Sequence, residues 1–205
     1  MGRSPKLPPS DLKAAILAAA RARFAAEGFE ATSMRRIAED AGCSATAIYL
    51  YFEDKQRLMD ALVLEDFLAI AEGFQKLRSV KDPLERLRRA GRQFTAFAVQ
   101  HPNHYRLLFM TPKPDLALPV DGRGRDTAGT NPYLFVRSCV EEARDAGCFR
   151  PGLEDADLMA QTILAAVHGV LAFHVVQYRD RWIQWRPLQA RAEFVLDAVI
   201  ESFKA

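Results

Sequence analysis

At 205 residues and 23.0 kDa, with 49% hydrophobic and 26% charged residues, the chain has the size of one large domain or two small ones. A chain of this length buries roughly 70% of its unfolded surface, which excludes disorder, collagen-like repeats and dependence on a disulfide or metal staple. The formal net charge is only +2, and Cys43, Cys139 and Cys148 are widely spaced with no Cys-x-x-Cys, which suits a reducing cytoplasm. Met1 to Asp11 lacks the apolar core of a secretory signal, so the expected location is cytoplasmic.

The periodicity is helical throughout. Leu12, Ile16, Leu17, Ala20 and Phe24 form one apolar stripe, and Gly28 follows as a stop. Thr32 or Ser33 caps a short second helix carrying Met34, Ile37, Ala38 and Ala41, closed by Gly42. Ser44 caps a third, Ala45 to Tyr51, and Asp54 caps a long fourth through Leu58, Leu62 and Phe67 to Leu77. Asp82-Pro83 opens the fifth with proline at its first position, and Pro102 interrupts it. A short helix spans Asn103 to Met110. Thr111 to Pro132, with four prolines and three glycines, reads as an irregular loop. Three more helices follow, Tyr133 to Ala146, Asp155 to Tyr178 and Pro187 to Phe203. The expectation is an all-α chain of about nine helices, divided at 1–60 and 61–205.

Within the first part, residues 33 to 51 satisfy the physical demands of a helix-turn-helix. Gly42 supplies a left-handed turn, Ser44 serves the orphan amides of the next helix, and Ile37, Ala38, Ala41, Cys43 and Ile48 glue the pair together. The outward face of the second helix, Ala45, Thr46, Tyr49 and Leu50, is small enough in part to approach base edges in a major groove. Lys55 follows a cap, where an ammonium beside a helix N-terminus favours an anion; Arg35 and Arg36 are open to the same reading or to a plain solvated face. Charge alone does not make the case, since residues 1–60 hold nine Lys/Arg against eight Asp/Glu. Any attraction would come from local placement of Arg3, Lys6, Lys13, Arg35, Arg36 and Lys55 on one side.

The run from Ala31 to Lys55, with Ile37-Ala38-x-x-Ala41-Gly42, Ile48-Tyr49-x-Tyr51-Phe52 and Lys55 after the Asp54 cap, resembles the DNA-binding module of the TetR family of transcriptional regulators. The resemblance covers residues 10 to 60. It implies phosphate contacts from Ser33, Arg35, Tyr51 and Lys55, base-facing Ala45, Thr46 and Leu50, and Tyr49 at the groove edge. Arg36 and Ser44 complete the expected DNA-binding set. Ala45 and Ala47 lack hydrogen-bonding groups where relatives often have them, so base reading is expected to use thymine methyls and DNA shape. Residues 101 to 110 and Val167-His168-Gly169 are similar to a subgroup with a Trp…His-Gly signature, although Leu164 or a neighbouring alanine replaces the tryptophan.

The C-terminal part carries the expected partners. Leu158 to Val176 is interrupted by Gln161, Thr162, His168, Gly169 and His174, and reads as a buried helix rather than a membrane span. It is apolar nearly all round, and with the last helix it predicts a homodimer closing a four-helix bundle; His168 reads as a hydrogen-bonded core residue, with Gly169 allowing close helix approach. Dimerisation also lets two recognition helices read paired half-sites of a double-stranded operator. Phe94, Phe97, His101, Tyr105, Phe109, Phe135, Cys139 and His168 read either as the walls of an apolar pocket for a small apolar or amphipathic effector or as a filled core.

The histidines lack the spacing of a metal set, Cys43 and the Cys139/Cys148 pair read as structural rather than redox-active, and no phosphate loop or nucleophile elbow is present. No cofactor, metal or catalytic activity is expected. The resulting picture is a ligand-responsive regulator acting as a repressor; the alternatives are an architectural DNA-binding protein, or a helical enzyme or carrier with a relic module.

Overall fold

The structure, a computed structural model, describes residues 9–111, 129, 131–177 and 182–204. Among them are nine α-helices, one 3₁₀ turn and no strand. In chain order these are α1 (Pro9–Glu27), α2 (Met34–Asp40), α3 (Ala45–Ile48), α4 (Lys55–Gln75), α5 (Pro83–Gln100), α6 (Pro102–Phe109), α7 (Pro132–Asp145), α8 (Ala156–Gln177) and α9 (Leu188–Phe203), with the 3₁₀ turn at Lys76–Ser79. Most of the expected loop between Thr111 and Pro132, Arg3, Lys6 and Tyr178 lie outside the described residues.

The helices start where short-range chemistry starts them. Ser33, Ser44 and Asp82 accept the amides of Arg36, Ala47 and Leu84 respectively, and Asp54 accepts that of Arg57 at 2.7 Å. Thr32, the other candidate cap, is buried and donates its hydroxyl to the Gly28 carbonyl at 2.8 Å. Pro83 and Pro132 occupy first-turn positions, where a missing N–H costs nothing.

The described residues divide into two compact units. One holds residues 9–66 and 103–111, so α6 groups with α1–α3 and the first half of α4. The boundary expected at residue 60 puts α6 with the C-terminal part instead. Its core is Ile16, Ala20, Phe24, Ile37, Ile48, Leu58, Leu62, Tyr105 and Leu107, each no more than 1% exposed. Three helices are also tied by charge. Arg21 of α1, 7% exposed, donates to Asp66 of α4 and at 2.9 Å to Glu65, and His104 Nδ1 of α6 lies 2.7 Å from the other Asp66 oxygen. Burial pushes the Asp66 carboxyl above its ordinary value, against the pull of Arg21 and His104. Beside this network a cleft of about 460 Å³ is lined by Lys13, Leu17, Arg21, Glu65 and His104.

The other unit comprises the described residues of 67–102 and 119–205. Here α5 packs on α7 and α9, and α8 on α7 and α9. Gly91 on α5 admits the Leu196 side chain of α9, since a Cβ there would come within 2.4 Å of Leu196 Cδ2 and that side chain would have to shift. Arg86, 7% exposed, crosses to α7, donating to Glu142 at 2.8 Å and to the Val80 carbonyl.

Helix α8 buries only one stripe, Ala156, Met159, Ala160, Ile163, Val167, Leu171 and Val175. Its opposite face, Leu158, Thr162, Ala165, Gly169, Phe173 and Val176, is exposed, as are Ala190, Phe194 and Ala198 of α9. Among the described residues, the expected burial of α8 on more than one side is therefore not provided. A Cβ on Gly169 would meet nothing within 4 Å, so the close approach expected there has no counterpart among the described residues. Among the described residues α8 is the one helix long and apolar enough to cross a membrane. Ahead of α9, Trp185 packs against Phe173 at 5.4 Å and under Arg191 at 4.8 Å, whereas Trp182 is exposed.

Two half-buried histidines on α8 give this unit a pH dependence. Burial lowers the pKa of His168; burial and then Arg191, whose guanidinium lies 3.4 Å from its Nδ1, lower that of His174. A depressed histidine pKa means the unfolded chain takes up protons first. Stability therefore falls as pH drops below the ordinary value of 6.5. The melting temperature is expected to decline between pH 7.5 and 5.5 and to decline less in a His168→Gln/His174→Gln variant. An equal decline in both proteins would contradict the assignment.

Candidate nucleic-acid interface

Residues 33 to 52 fold locally for identifiable reasons. Ser33 Oγ accepts the Arg36 amide at 3.4 Å to start α2. Gly42, at φ +70°, lets the chain leave it, with Gly42 N–H donating to Glu39 O at 3.1 Å and Cys43 N–H to Ala38 O at 2.9 Å. Ser44 Oγ then accepts the Ala47 amide at 3.1 Å. The α-helix so started ends at Ile48, short of the expected Tyr51. Leu50 and Tyr51 donate to Ala47 and Ile48 in tighter i→i+3 bonds, and Phe52, buried like Ile48, draws the chain inward.

The buried side of this segment is Met34, Ile37, Ala38, Ala41, Ile48 and Phe52. Cys43 is only half-buried; burial raises its thiol pKa, and that of Cys139 to about 11, so neither is rich in reactive thiolate near neutral pH. The exposed side alternates with these positions and is mixed in chemistry. Ser33, Arg35, Arg36, Ser44, Ala45 and Thr46 are exposed; Tyr49 is 54% and Leu50 81% exposed; Tyr51 is half-buried. Exposed Tyr49 and Leu50, together with the exposed serine caps and arginines of the same segment, are side chains suited to a groove edge and to phosphates.

Each nearby arginine has a carboxylate. Arg35 donates to Glu39 at 3.1 Å, Arg36 to Glu27 at 2.8 and 3.0 Å, and Arg23 to Asp40 and Glu27. The Arg35 side chain is 81% exposed, so its pair is weak and readily exchanged for phosphate. Lys55 is placed differently from the expectation of a phosphate-facing ammonium. Its Nζ donates to the carbonyls of Phe29, Thr32 and Glu30 at 2.7, 3.0 and 3.4 Å. Lys13 lines the α1 cleft described above.

The eight residues expected to form a pocket fall into both units. Tyr105, fully buried, and Phe109 stack at 5.3 Å in the first. In the second, Phe135 packs on Phe74 at 5.2 Å and Cys139 lies 4.0 Å from Arg86, both buried. Phe94 is buried and Phe97 and His168 are half-buried. His101 is exposed as the C-cap of α5 ahead of Pro102, with its amide donating to the Phe97 carbonyl at 2.8 Å and its ring 5.5 Å from that of Phe97. Sequence reasoning missed Arg21, Asp66 and His104 as a connected group. Their separations of 38 to 45 residues leave no local signal.

Residues 16–62 match the family described as "Bacterial regulatory proteins, tetR family", and residues 87–199 match "Tetracyclin repressor-like, C-terminal domain". The chain is 32% identical over 108 residues to the transcriptional activator FasR of Mycolicibacterium smegmatis, covering 52% of this chain and 49% of FasR. It is 41% identical over 64 residues to the transcriptional repressor AcnR of Corynebacterium glutamicum, covering 31% of this chain and 34% of AcnR. The matched segment thus spans half of one relative and a third of the other. In fold, the chain is similar to FadR of Bacillus subtilis, solved in complex with stearoyl-CoA, at a TM-score of 0.75 with 18% identity, covering 93% of this chain and 98% of that one.

Proposed function

The chain belongs to the TetR family of bacterial regulatory proteins, and from that premise we propose that it is a cytoplasmic repressor that binds a palindromic operator as a homodimer and is released by a small effector. The observation that carries the reading is the exposed face from Ser33 to Tyr51, built on a buried stripe of Ile37, Ala38 and Ile48. Ser33, Ser44, Arg35, Arg36 and Tyr51 serve phosphates. Thr46 and Leu50 meet base edges, with Ala45 small enough to let them approach, and Tyr49 lies at the groove edge.

The dimer is supported by the uncovered faces of α8 and α9. Leu158, Phe173, Val176 and Phe194, between 44% and 77% exposed, form an apolar surface on adjacent helices, and Ala165 and Gly169 leave room for another helix. A second copy covers the same face by two-fold symmetry and carries the second recognition segment. The working division is a DNA-binding domain at 1–60 and an effector-binding and dimerisation domain at 61–205. The effector is proposed to be apolar or amphipathic, in keeping with the stearoyl-CoA of the FadR complex. It acts by its differential affinity for the DNA-competent and released states.

Selection from a random duplex library at physiological salt tests this reading. A palindrome with half-sites about one helical turn apart is the expected product. Weak, salt-sensitive binding without enrichment would point instead to an architectural protein. A further expectation concerns affinity. Glu39→Gln releases Arg35 to phosphate, so operator affinity rises about two- to fivefold, in proportion to the roughly 0.5–1 kcal/mol of an exposed ion pair. Anisotropy titration would check it, and a fall in affinity would contradict the role of Arg35.

A further inference from the structure

The turn from α1 to α2 presents more carbonyls than its own donors serve. Gly28, at φ +84°, ends α1; its carbonyl takes the Thr32 hydroxyl, and the Phe29 carbonyl takes the Thr32 amide at 3.3 Å. The carbonyls of Phe29, Glu30 and Thr32 converge on a single point, and the Lys55 ammonium occupies it. An ammonium has three N–H donors, and three carbonyls are within reach of them. The Phe29 ring closes one side, 4.3 Å from Nζ, and packs in turn against Phe24 at 5.4 Å.

We propose that Lys55 is a positioning residue for DNA recognition, pinning the Phe29–Thr32 turn to the first residue of α4 and thereby setting the angle of α2 and α3 against α4. The proposal rests on the DNA-binding reading above. Thr32 directly precedes Ser33, the cap of α2, and α2 runs into α3 through the hydrogen-bonded Gly42 turn, so displacement of the carbonyl cluster moves the whole recognition segment. A direct phosphate contact would require Nζ to give up at least one carbonyl. The long side chain is held by bonds spanning 23 to 26 residues, which is the separation needed to couple α4 to the turn.

Two variants separate the roles. Lys55→Met keeps the length of the stem and removes the donors. Lys55→Arg keeps the charge, but its planar fork cannot aim three donors at one convergent cluster. Both are expected to accelerate amide exchange at residues 30–36 at least tenfold relative to α8. Both are also expected to lower discrimination between the selected site and random duplex about tenfold, with the slope of log affinity against log salt unchanged. A slope lower by about one in Lys55→Met, with Lys55→Arg near wild type, is the signature of a phosphate contact and would overturn the proposal. A lower melting temperature with unchanged discrimination would make the role merely structural and overturn it too. If the wild-type chain selects no site, the DNA-binding reading fails, and the role in recognition with it. Amide exchange then reports on the tie alone, and unchanged exchange in both variants shows the tie itself to be absent.

Discussion

Gly169→Arg should convert the protein to a monomer and lower operator affinity at least a hundredfold while leaving the subunit folded. Gly169 is exposed at the middle of the α8 face, and a Cβ there meets nothing within 4 Å among the described residues. Within one subunit the substitution improves helix propensity by about 1 kcal/mol. At a two-fold interface it places one unpaired cation from each copy among Leu158, Ala165, Phe173 and Val176, at a desolvation cost of several kcal/mol. Sedimentation velocity would show the loss of the dimer, and anisotropy the loss of affinity, because a single recognition segment forfeits the coupling between half-sites. A dimer that persists with unchanged affinity would place the interface elsewhere.

The second large effect is on stability. Asp66→Ala should destabilise the N-terminal unit by about 3–5 kcal/mol, since it leaves the Arg21 guanidinium buried and facing only the exposed Glu65. Asp66 is 2% exposed and holds two partners, so its removal also frees His104 from α4. The double change Arg21→Met/Asp66→Leu should recover most of that loss, because apolar side chains of similar volume do not carry the desolvation cost of the pair. Urea unfolding of the full chain, followed by a probe placed in α1, measures both. A loss below about 1 kcal/mol in Asp66→Ala would show the network to be solvated and weak.

These two sites also mark how far the sequence could be read. Ser33, Ser44, Asp82 and the glycines ending α1 and α2 act within one turn of themselves, so their effects are written locally and the helices begin where they predict. The exposed identity of Ala45, Thr46, Tyr49 and Leu50 follows from the same local periodicity, given a buried Ile48. Local pattern does not reach Arg21, Asp66 and His104, which meet from three helices, nor does it say that the Lys55 ammonium turns back onto carbonyls more than twenty residues earlier. An all-round apolar helix such as α8 is ambiguous for a related reason. Periodicity shows that it needs cover, and only the packed chain shows which face lacks it. The helical spacing does carry His101 onto Phe97, their rings 5.5 Å apart, while Pro102 ends α5 there and leaves the imidazole exposed.

Taken with the exposed Ser33–Tyr51 face, the uncovered α8–α9 surface makes a definite claim about assembly on DNA: two chains on one duplex. The direct measurement is the mass of the protein–DNA complex, by sedimentation equilibrium, on a selected palindrome and on the same duplex with one half-site scrambled. Two chains per palindrome, with affinity at least a hundredfold weaker for the scrambled duplex, is the predicted result. A single chain bound equally tightly to both duplexes would contradict it.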